Sequence, residues 1–302
     1  MADVCGLEDA KARLTASVVD ANRTAARLAA LRRRTRARPA PAEPARLVIL
    51  HGPPGTGKTM LARAAAAAAG CPVLAVGFED IADKYYGESQ RLLQEVFDAA
   101  ADYARGEPDR GGARGTDPGT GDAATKPPSG SGSDSSSGSG SGSGRQVLLF
   151  VDEADALLGR RSSGGHDGGP YSDGADDRLV SQTLKFLEGG ADRKGVVMVL
   201  ATNRLAALDP ALLSRASDVI EVLPPGETAL RLMWSRWAAH LAPAAVARLA
   251  RAAEGMTGRD VARVCDSVER LWVGSRHPAA DLPSESDYAR ELAARKAALT
   301  RE

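Results

Sequence analysis

The chain has 302 residues, 43% hydrophobic and 26% charged, which fits a soluble globular protein with a substantial core. Lys plus Arg and Asp plus Glu number 39 each, so overall charge selects neither a polyanionic nor a polycationic partner. No apolar run is long enough for a bilayer, and Cys5, Cys71 and Cys265 lack metal-ligand spacing. Those cysteines read as reduced, mostly buried thiols. Acids at Asp3, Glu8, Asp9 and Asp20 do not fit a signal or transit peptide, so the expected setting is intracellular, cytoplasmic or nuclear.

The first predicted element is an amphipathic helix from Glu8 to about Leu31. The basic run RRRTRAR, Arg32 to Arg38, follows, and Pro39, Pro41 and Pro44 end any helix. That run is a solvated helix end or, on the sharper reading, a contact for nucleic acid or acidic lipid. Leu47 to Leu50 is an apolar strand, followed by HGPPGTGKTM, His51 to Met60, and an alanine-rich helix to Ala69. Strand, glycine-rich turn and helix is the setting in which G-x-x-x-x-G-K-[ST] holds phosphate. Gly52, Gly55 and Gly57 let backbone N–H groups converge on an anion, with Pro53, Pro54 and Thr56 completing the loop. The helix beginning near Met60 adds its positive dipole end. Lys58 is placed for the β- and γ-phosphates, and Thr59 offers a hydroxyl to Mg²⁺. A nucleoside triphosphate, ATP, with Mg²⁺ is the expected ligand.

A short strand is predicted at Val73 to Val76. Lys84-Tyr85-Tyr86-Gly87 then forms a loop with an aromatic tip before a helix from Ser89. From about Ala104 to Gly144 the chain is rich in Gly, Ser, Pro and Asp and cannot build a core. Roughly forty flexible residues span only about 35 Å, so the flanking elements can belong to one sheet. The segment is a surface insertion or an artefact of the deduced sequence.

Gln146 to Val151 is a buried strand running into Asp152 and Glu153. Asp152 is placed to hold Mg²⁺ through water, and Glu153 to orient and deprotonate an attacking water. A helix begins at Asp155 to Leu158, and Gly159 to Gly174 is a second Gly/Ser-rich loop. A helix covers Asp176 to Glu188, and a strand Gly195 to Ala201 closes on Thr202 and Asn203, the latter set to position the same water. Leu208 to Arg215 is a short helix, and Val219 to Leu223 another strand. From Pro225 the chain reads as helical, with breaks near Pro243, Gly255 to Thr257 and Pro278 to Pro283. Trp234 and Trp237, on the first of these helices, read as core. Alternating strands and helices imply an α/β fold: a parallel sheet covered on both faces, residues 1–224, followed by a small helical domain, residues 225–302.

Together these stretches resemble the AAA family of AAA+ ATPases. GPPGTGKT corresponds to Walker A, LLFVDEAD to Walker B, ATN at Ala201 to Asn203 to sensor 1, and LDPALLSR ends in Arg215. RLVSQTLKFLEGG is similar to the helix leading into the inter-subunit signalling turn, and KYYGES to the central pore loop. The resemblance extends from DVCGLEDAK through GMTGRDVARVCDSVER to SDYARELAARK, nearly the whole chain. It implies a P-loop domain with a helical lid and a ring, usually a hexamer, of this chain or of related AAA subunits. It also implies nucleotide between subunits, Arg215 acting in trans at a rate advantage of about 10³–10⁵, and Tyr85 and Tyr86 pulling a polypeptide through the pore.

Three departures stand out. Leu213 and Ser214 precede a lone arginine, Ala216-Ser217 replaces the usual Phe-Asp or Phe-Glu, and Gly258-Arg259-Asp260 replaces G-A-D. Arg259 therefore resembles a sensor 2 arginine reaching the γ-phosphate from the lid. The leading expectation is an ATP-driven motor that remodels, threads or disassembles a protein. The alternative is a nucleotide-dependent scaffold or assembly factor with little turnover. A nucleic-acid motor would rest on Arg32 to Arg38 alone and is disfavoured. No H-E-x-x-H stretch is present.

Overall fold

The computed structural model describes residues 4–19, 46–77, 81, 88–106, 145–159, 175–189, 195–275 and 281–299, with isolated positions between 27 and 35. Among the described residues five strands form one sheet: β1 (Leu47–His51), β2 (Val73–Val76), β3 (Val147–Val151), β4 (Val196–Thr202) and β5 (Asp218–Glu221). The spatial order is β2-β3-β4-β1-β5, with every neighbouring pair parallel. β3 and β4 are buried along their whole length, because parallel crossovers put helices on both faces. Hence both strands are apolar, with no alternation, as far as Thr202, the last residue of β4.

Side chains alternate between two cores. Leu47, Ile49, Leu149, Val151, Met198 and Leu200 face one side, with Phe97 and Phe186 among the covering residues. Those two rings stack at 4.1 Å. Val48, Leu50, Leu148, Phe150, Val199 and Ala201 face the other side, against Leu61, Ala62, Ala65 and Ala66.

The helices are α1 (Glu8–Leu14), α2 (Lys58–Ala69), α3 (Glu88–Arg105), α4 (Ala154–Leu157), α5 (Ala175–Glu188) and α6 (Pro210–Arg215), then α7 (Glu227–Trp237), α8 (Pro243–Ala252), α9 (Gly258–Gly274) and α10 (Glu285–Leu299). The last four share a core of their own around Trp234, Leu249, Val261, Val264, Tyr288 and Leu292. Trp234 meets Tyr288 edge-on at 5.9 Å. This helical bundle fits a lid on a P-loop sheet. Among the described residues no helix is long and apolar enough to cross a membrane.

Several boundaries differ from expectation. The first helix stops being α-helical at Leu14 and continues as a π-turn, Thr15–Val19. Tertiary contacts fix this segment: Leu14 and Val18 are fully buried, Gln146 Nε2 donates to the Val18 carbonyl at 2.7 Å, and Arg13 pairs with Asp218. Asp218 is thereby drawn into β5, which starts one residue earlier than expected and ends at Glu221. α6 begins at Pro210, because Asp209 caps it by accepting from the Ala211 N–H at 2.7 Å. Leu208 instead forms an isolated antiparallel bridge with Gly159. Ala104 and Arg105, expected at the start of the insertion, belong to α3, with Ala104 buried against the sheet. Residues 107–144, most of the loop 159–174 and the loop Lys84, Tyr85, Tyr86 and Gly87 lie outside the described residues.

Candidate active site

The loop between β1 and α2 is held by its glycines. Gly52 has φ +145°, and a Cβ there would lie 2.3 Å from the Val222 carbonyl oxygen. Val222, the residue after β5, therefore lies directly behind the loop, and its N–H bonds the His51 carbonyl at 2.7 Å. Gly55 has φ +81°, and a Cβ there would lie 2.8 Å from Thr257 Oγ1 and 3.1 Å from Arg259 Cβ. The start of α9 thus rests on the loop, with Arg259 N–H 3.4 Å from the Gly55 carbonyl. Thr56, buried, closes the turn by donating to the Pro53 carbonyl at 3.0 Å.

Lys58, the first residue of α2, folds back over the loop. Its ammonium donates to the carbonyls of Gly52 and Pro53 at 2.8 and 2.9 Å and to Asn203 Oδ1 at 2.8 Å. Burial lowers its pKa from the usual 10.5; Arg259 lowers it further, while Asp152 and Asp155 oppose the shift. Thr59 Oγ1 donates to Asp152 Oδ2 at 2.8 Å, and Glu153 N–H donates to Asp152 Oδ1 at 3.0 Å. Glu153 is exposed and left-handed, φ 49° and ψ 44°, at the cap of the four-residue α4. A non-glycine residue in that region costs energy, and such strain concentrates where a side chain must be aimed.

Behind Glu153, Asp155 anchors the short helix to β4. Thr202 Oγ1 donates to Asp155 Oδ1 at 2.7 Å, and Arg204 Nε to Oδ2 at 3.3 Å. Three strand ends and the lid meet at a cleft of about 470 Å³. Lys58, Thr59, Asp152, Glu153, Asn203 and Arg259 line its polar side, while Val4, Leu7, Met60, Pro225, Met233 and Trp237 supply apolar surface. A polyanion with an aromatic base matches that division, and the volume suits a small-molecule ligand.

Mg²⁺ fits the oxygen set present. It favours one or two protein oxygens, keeping waters and substrate phosphates for the remaining positions. The Thr59 hydroxyl and Asp152 carboxylate, already 2.8 Å apart, meet that need. Among the described residues no group of three or more His, Cys, Asp or Glu side chains forms a protein-only cage.

The structure brings together Pro54 to Met60, Asp152, Glu153, Asn203 and Arg259; Gly52 and Pro53 act through their carbonyls on Lys58. Arg215 does not line this cleft. It ends α6 and pairs with Glu188 through Nε at 3.0 Å and Nη2 at 2.5 Å. Two expectations need correction. Trp237 is not core: Trp234 occupies the lid interior, whereas Trp237, at the last residue of α7, is 41% exposed and borders the cleft. Its partner on that face is Met233, four residues earlier, a helical spacing that was the available signal. Cys5 is likewise not a buried thiol like Cys71 and Cys265; it is partly exposed on the cleft wall beside Val4 and Leu7.

The family model described as "ATPase family associated with various cellular activities (AAA)" matches residues 48–108 and 135–223. The 26S proteasome regulatory subunit 10B homolog A of Arabidopsis thaliana is 31% identical over 228 residues, covering 74% of this chain and 46% of that protein. The proteasome-activating nucleotidase of Archaeoglobus fulgidus is also 31% identical over 228 residues, with the same 74% and 46% coverage. The ATP-dependent zinc metalloprotease FtsH of Mycobacterium tuberculosis is 30% identical over 232 residues, covering 74% of this chain and 24% of that protein. The chain thus spans less than half the length of these relatives.

Proposed function

Since the chain belongs to the AAA family of AAA+ ATPases, we propose that it hydrolyses ATP and uses the energy, as a ring oligomer, to remodel, thread or disassemble a polypeptide. The observation that carries this reading is the convergence of Lys58, Thr59, Asp152, Glu153 and Asn203 from three strand ends under Arg259 of the lid. Residues 1–224 form the nucleotide-binding domain and 225–302 the lid.

Backbone N–H groups of the loop and the Lys58 ammonium bind the β- and γ-phosphates, with Thr59 and Asp152 holding Mg²⁺. Bound Mg²⁺ supplies neutralisation of charge on the phosphate oxygens. Glu153 takes a proton from the water that attacks the γ-phosphorus, while the bond to the β–γ bridging oxygen breaks and ADP leaves. Asn203 orients that water, and contact with phosphate replaces its bond to Lys58. Arg259 meets the γ-phosphate in cis. Arg215 meets the γ-phosphate held by a neighbouring copy, in a homo-hexamer or a ring with related AAA subunits. Head-to-tail contacts of that kind close into rings.

Tyr85 and Tyr86, between Lys84 and Gly87, are the grip on substrate by their resemblance to a pore loop. Relatives named for the proteasome and for a metalloprotease support a polypeptide as the object of work. The free thiols of Cys5, Cys71 and Cys265 support an intracellular, cytoplasmic setting. A second reading, a scaffold with little turnover, is favoured by one observation: Arg215 is engaged by Glu188 of its own chain.

Native mass measurement of the Glu153→Gln protein with ATP and Mg²⁺ tests the assembly, and phosphate release by wild type tests the motor. A hexamer and a wild-type rate at least about 10²-fold above Glu153→Gln are expected. A monomer at all concentrations contradicts the ring, and a wild type as slow as Glu153→Gln selects the scaffold.

A further inference from the structure

The first turn of α9, which carries Arg259, is held by a residue that does not itself line the cleft. Thr257 and Asp260 cap this helix reciprocally. Asp260 N–H donates to Thr257 Oγ1 at 3.3 Å, while Thr257 N–H and Oγ1–H donate to Asp260 Oδ2 at 3.2 and 2.6 Å. That leaves Asp260 Oδ1, and Arg295 of α10 takes it with both Nε, at 3.1 Å, and Nη2, at 2.7 Å. The pair is shielded, with the Asp260 side chain 9% exposed and that of Arg295 30% exposed. Thr257 Oγ1 is also the atom nearest to where a Cβ on Gly55 would stand. One chain of contacts therefore runs from α10 through a carboxylate and a hydroxyl to the phosphate loop.

We propose that Arg295 is a positioning residue: by fixing the Asp260 carboxylate it seats the first turn of α9 on Gly55 and aims Arg259 at the phosphates. The proposal rests on the reading that the cleft takes ATP and that Arg259 meets the γ-phosphate. It makes the last helix of the chain part of the nucleotide site. A force or partner acting on α10 would then alter ATP binding without touching the cleft.

Removing Arg295 should not unfold the lid. α10 keeps Tyr288 and Leu292 fully buried in the lid core, and Ser267 Oγ still donates to Glu291 at 2.9 Å. In a Glu153→Gln background, where turnover is suppressed, ATP and ADP affinities separate aim from mere stability. Arg295→Met is expected to weaken ATP about tenfold, the scale of one charge-assisted hydrogen bond, and ADP less than about threefold. Arg295→Lys, which retains one donor, is expected to recover part of the loss. Adding Arg295→Met to Arg259→Ala should cost nothing further, because both act on one contact.

Equal losses for ATP and ADP, additive losses in the double variant, or an Arg295→Met protein that binds ATP like its parent would each overturn the proposal. So would an Arg259→Ala protein with unaltered ATP affinity. In that case Lys58→Met locates the failure: if it abolishes binding, only the role of Arg259 is wrong. If ATP binds as before, the cleft itself has been misread.

Discussion

Replacing Lys58 with methionine separates what this residue does for the fold from what it does for the ligand. Its ammonium makes three hydrogen bonds between 2.8 and 2.9 Å, to Gly52, Pro53 and Asn203. Burial already works against its charge, which is why its pKa is drawn down. Methionine has similar length and carries no charge to desolvate. Of the abandoned acceptors, Pro53 and Asn203 are exposed and Gly52 is partly exposed, so water can replace the lost donor. The net change in folding stability is therefore expected to stay within about 1 kcal/mol. Binding has no such compensation. A charge-assisted bond to phosphate contributes about 1.5–3 kcal/mol, so losing even one weakens ATP at least about tenfold. Calorimetric titration with ATP and Mg²⁺, paired with thermal unfolding of the unliganded protein, measures both. A variant that melts far below wild type yet binds ATP within about threefold of it would make Lys58 a structural lysine and not a phosphate ligand.

Two further substitutions probe the supports of the site. Gly52→Ala places a methyl 2.3 Å from the Val222 carbonyl oxygen at φ +145°; backbone strain of about 1–3 kcal/mol should lower the melting temperature by several degrees, and an unchanged melt would contradict the close approach of Val222. For Asp260, burial raises the pKa, but its bonds to Thr257 and Arg295 prevail and hold it below the ordinary 3.8. A depressed folded-state pKa contributes stability above the unfolded value and loses it as pH falls through the folded one. Asp260→Asn should therefore be less stable than wild type at pH 7 by about 1–3 kcal/mol. That gap should shrink in urea unfolding carried out below pH 3.8; a gap that is constant with pH would show that the carboxylate charge is not involved.

What the sequence discloses about this site depends on how local each contact is. GPPGTGKTM and the acids ending LLFVDEAD are contiguous, and each needs only its own strand to be aimed, so their placement could be anticipated. Asn203 was anticipated for the same reason, at the end of another apolar strand. Arg295 was not, because its bond to Asp260 joins residues 35 apart and depends on how α10 packs on α9. The Thr257-x-x-Asp260 capping pattern is visible in the sequence, but its contact with Gly55 is not. Trp237 reads as core, like Trp234, because both fall on the first lid helix. Trp234 takes the interior, whereas Trp237, the last residue of α7, is left at the cleft. The π-turn that follows Leu14 is hidden likewise, since Gln146 and Asp218, which hold this segment, come from distant parts of the chain.

On the proposed function each site is half a site, completed by Arg215 of a neighbour. Mixing two inactive proteins tests it most directly. Glu153→Gln subunits keep Arg215 but lack the base, and Arg215→Ala subunits keep Glu153 but lack the finger. Where a Glu153→Gln copy presents Arg215 to the nucleotide of an Arg215→Ala copy, one interface regains both groups. Phosphate release from the mixture is expected to lie well above the sum of the separate proteins. A mixture no more active than that sum, under conditions where mass measurement shows mixed rings, would contradict it.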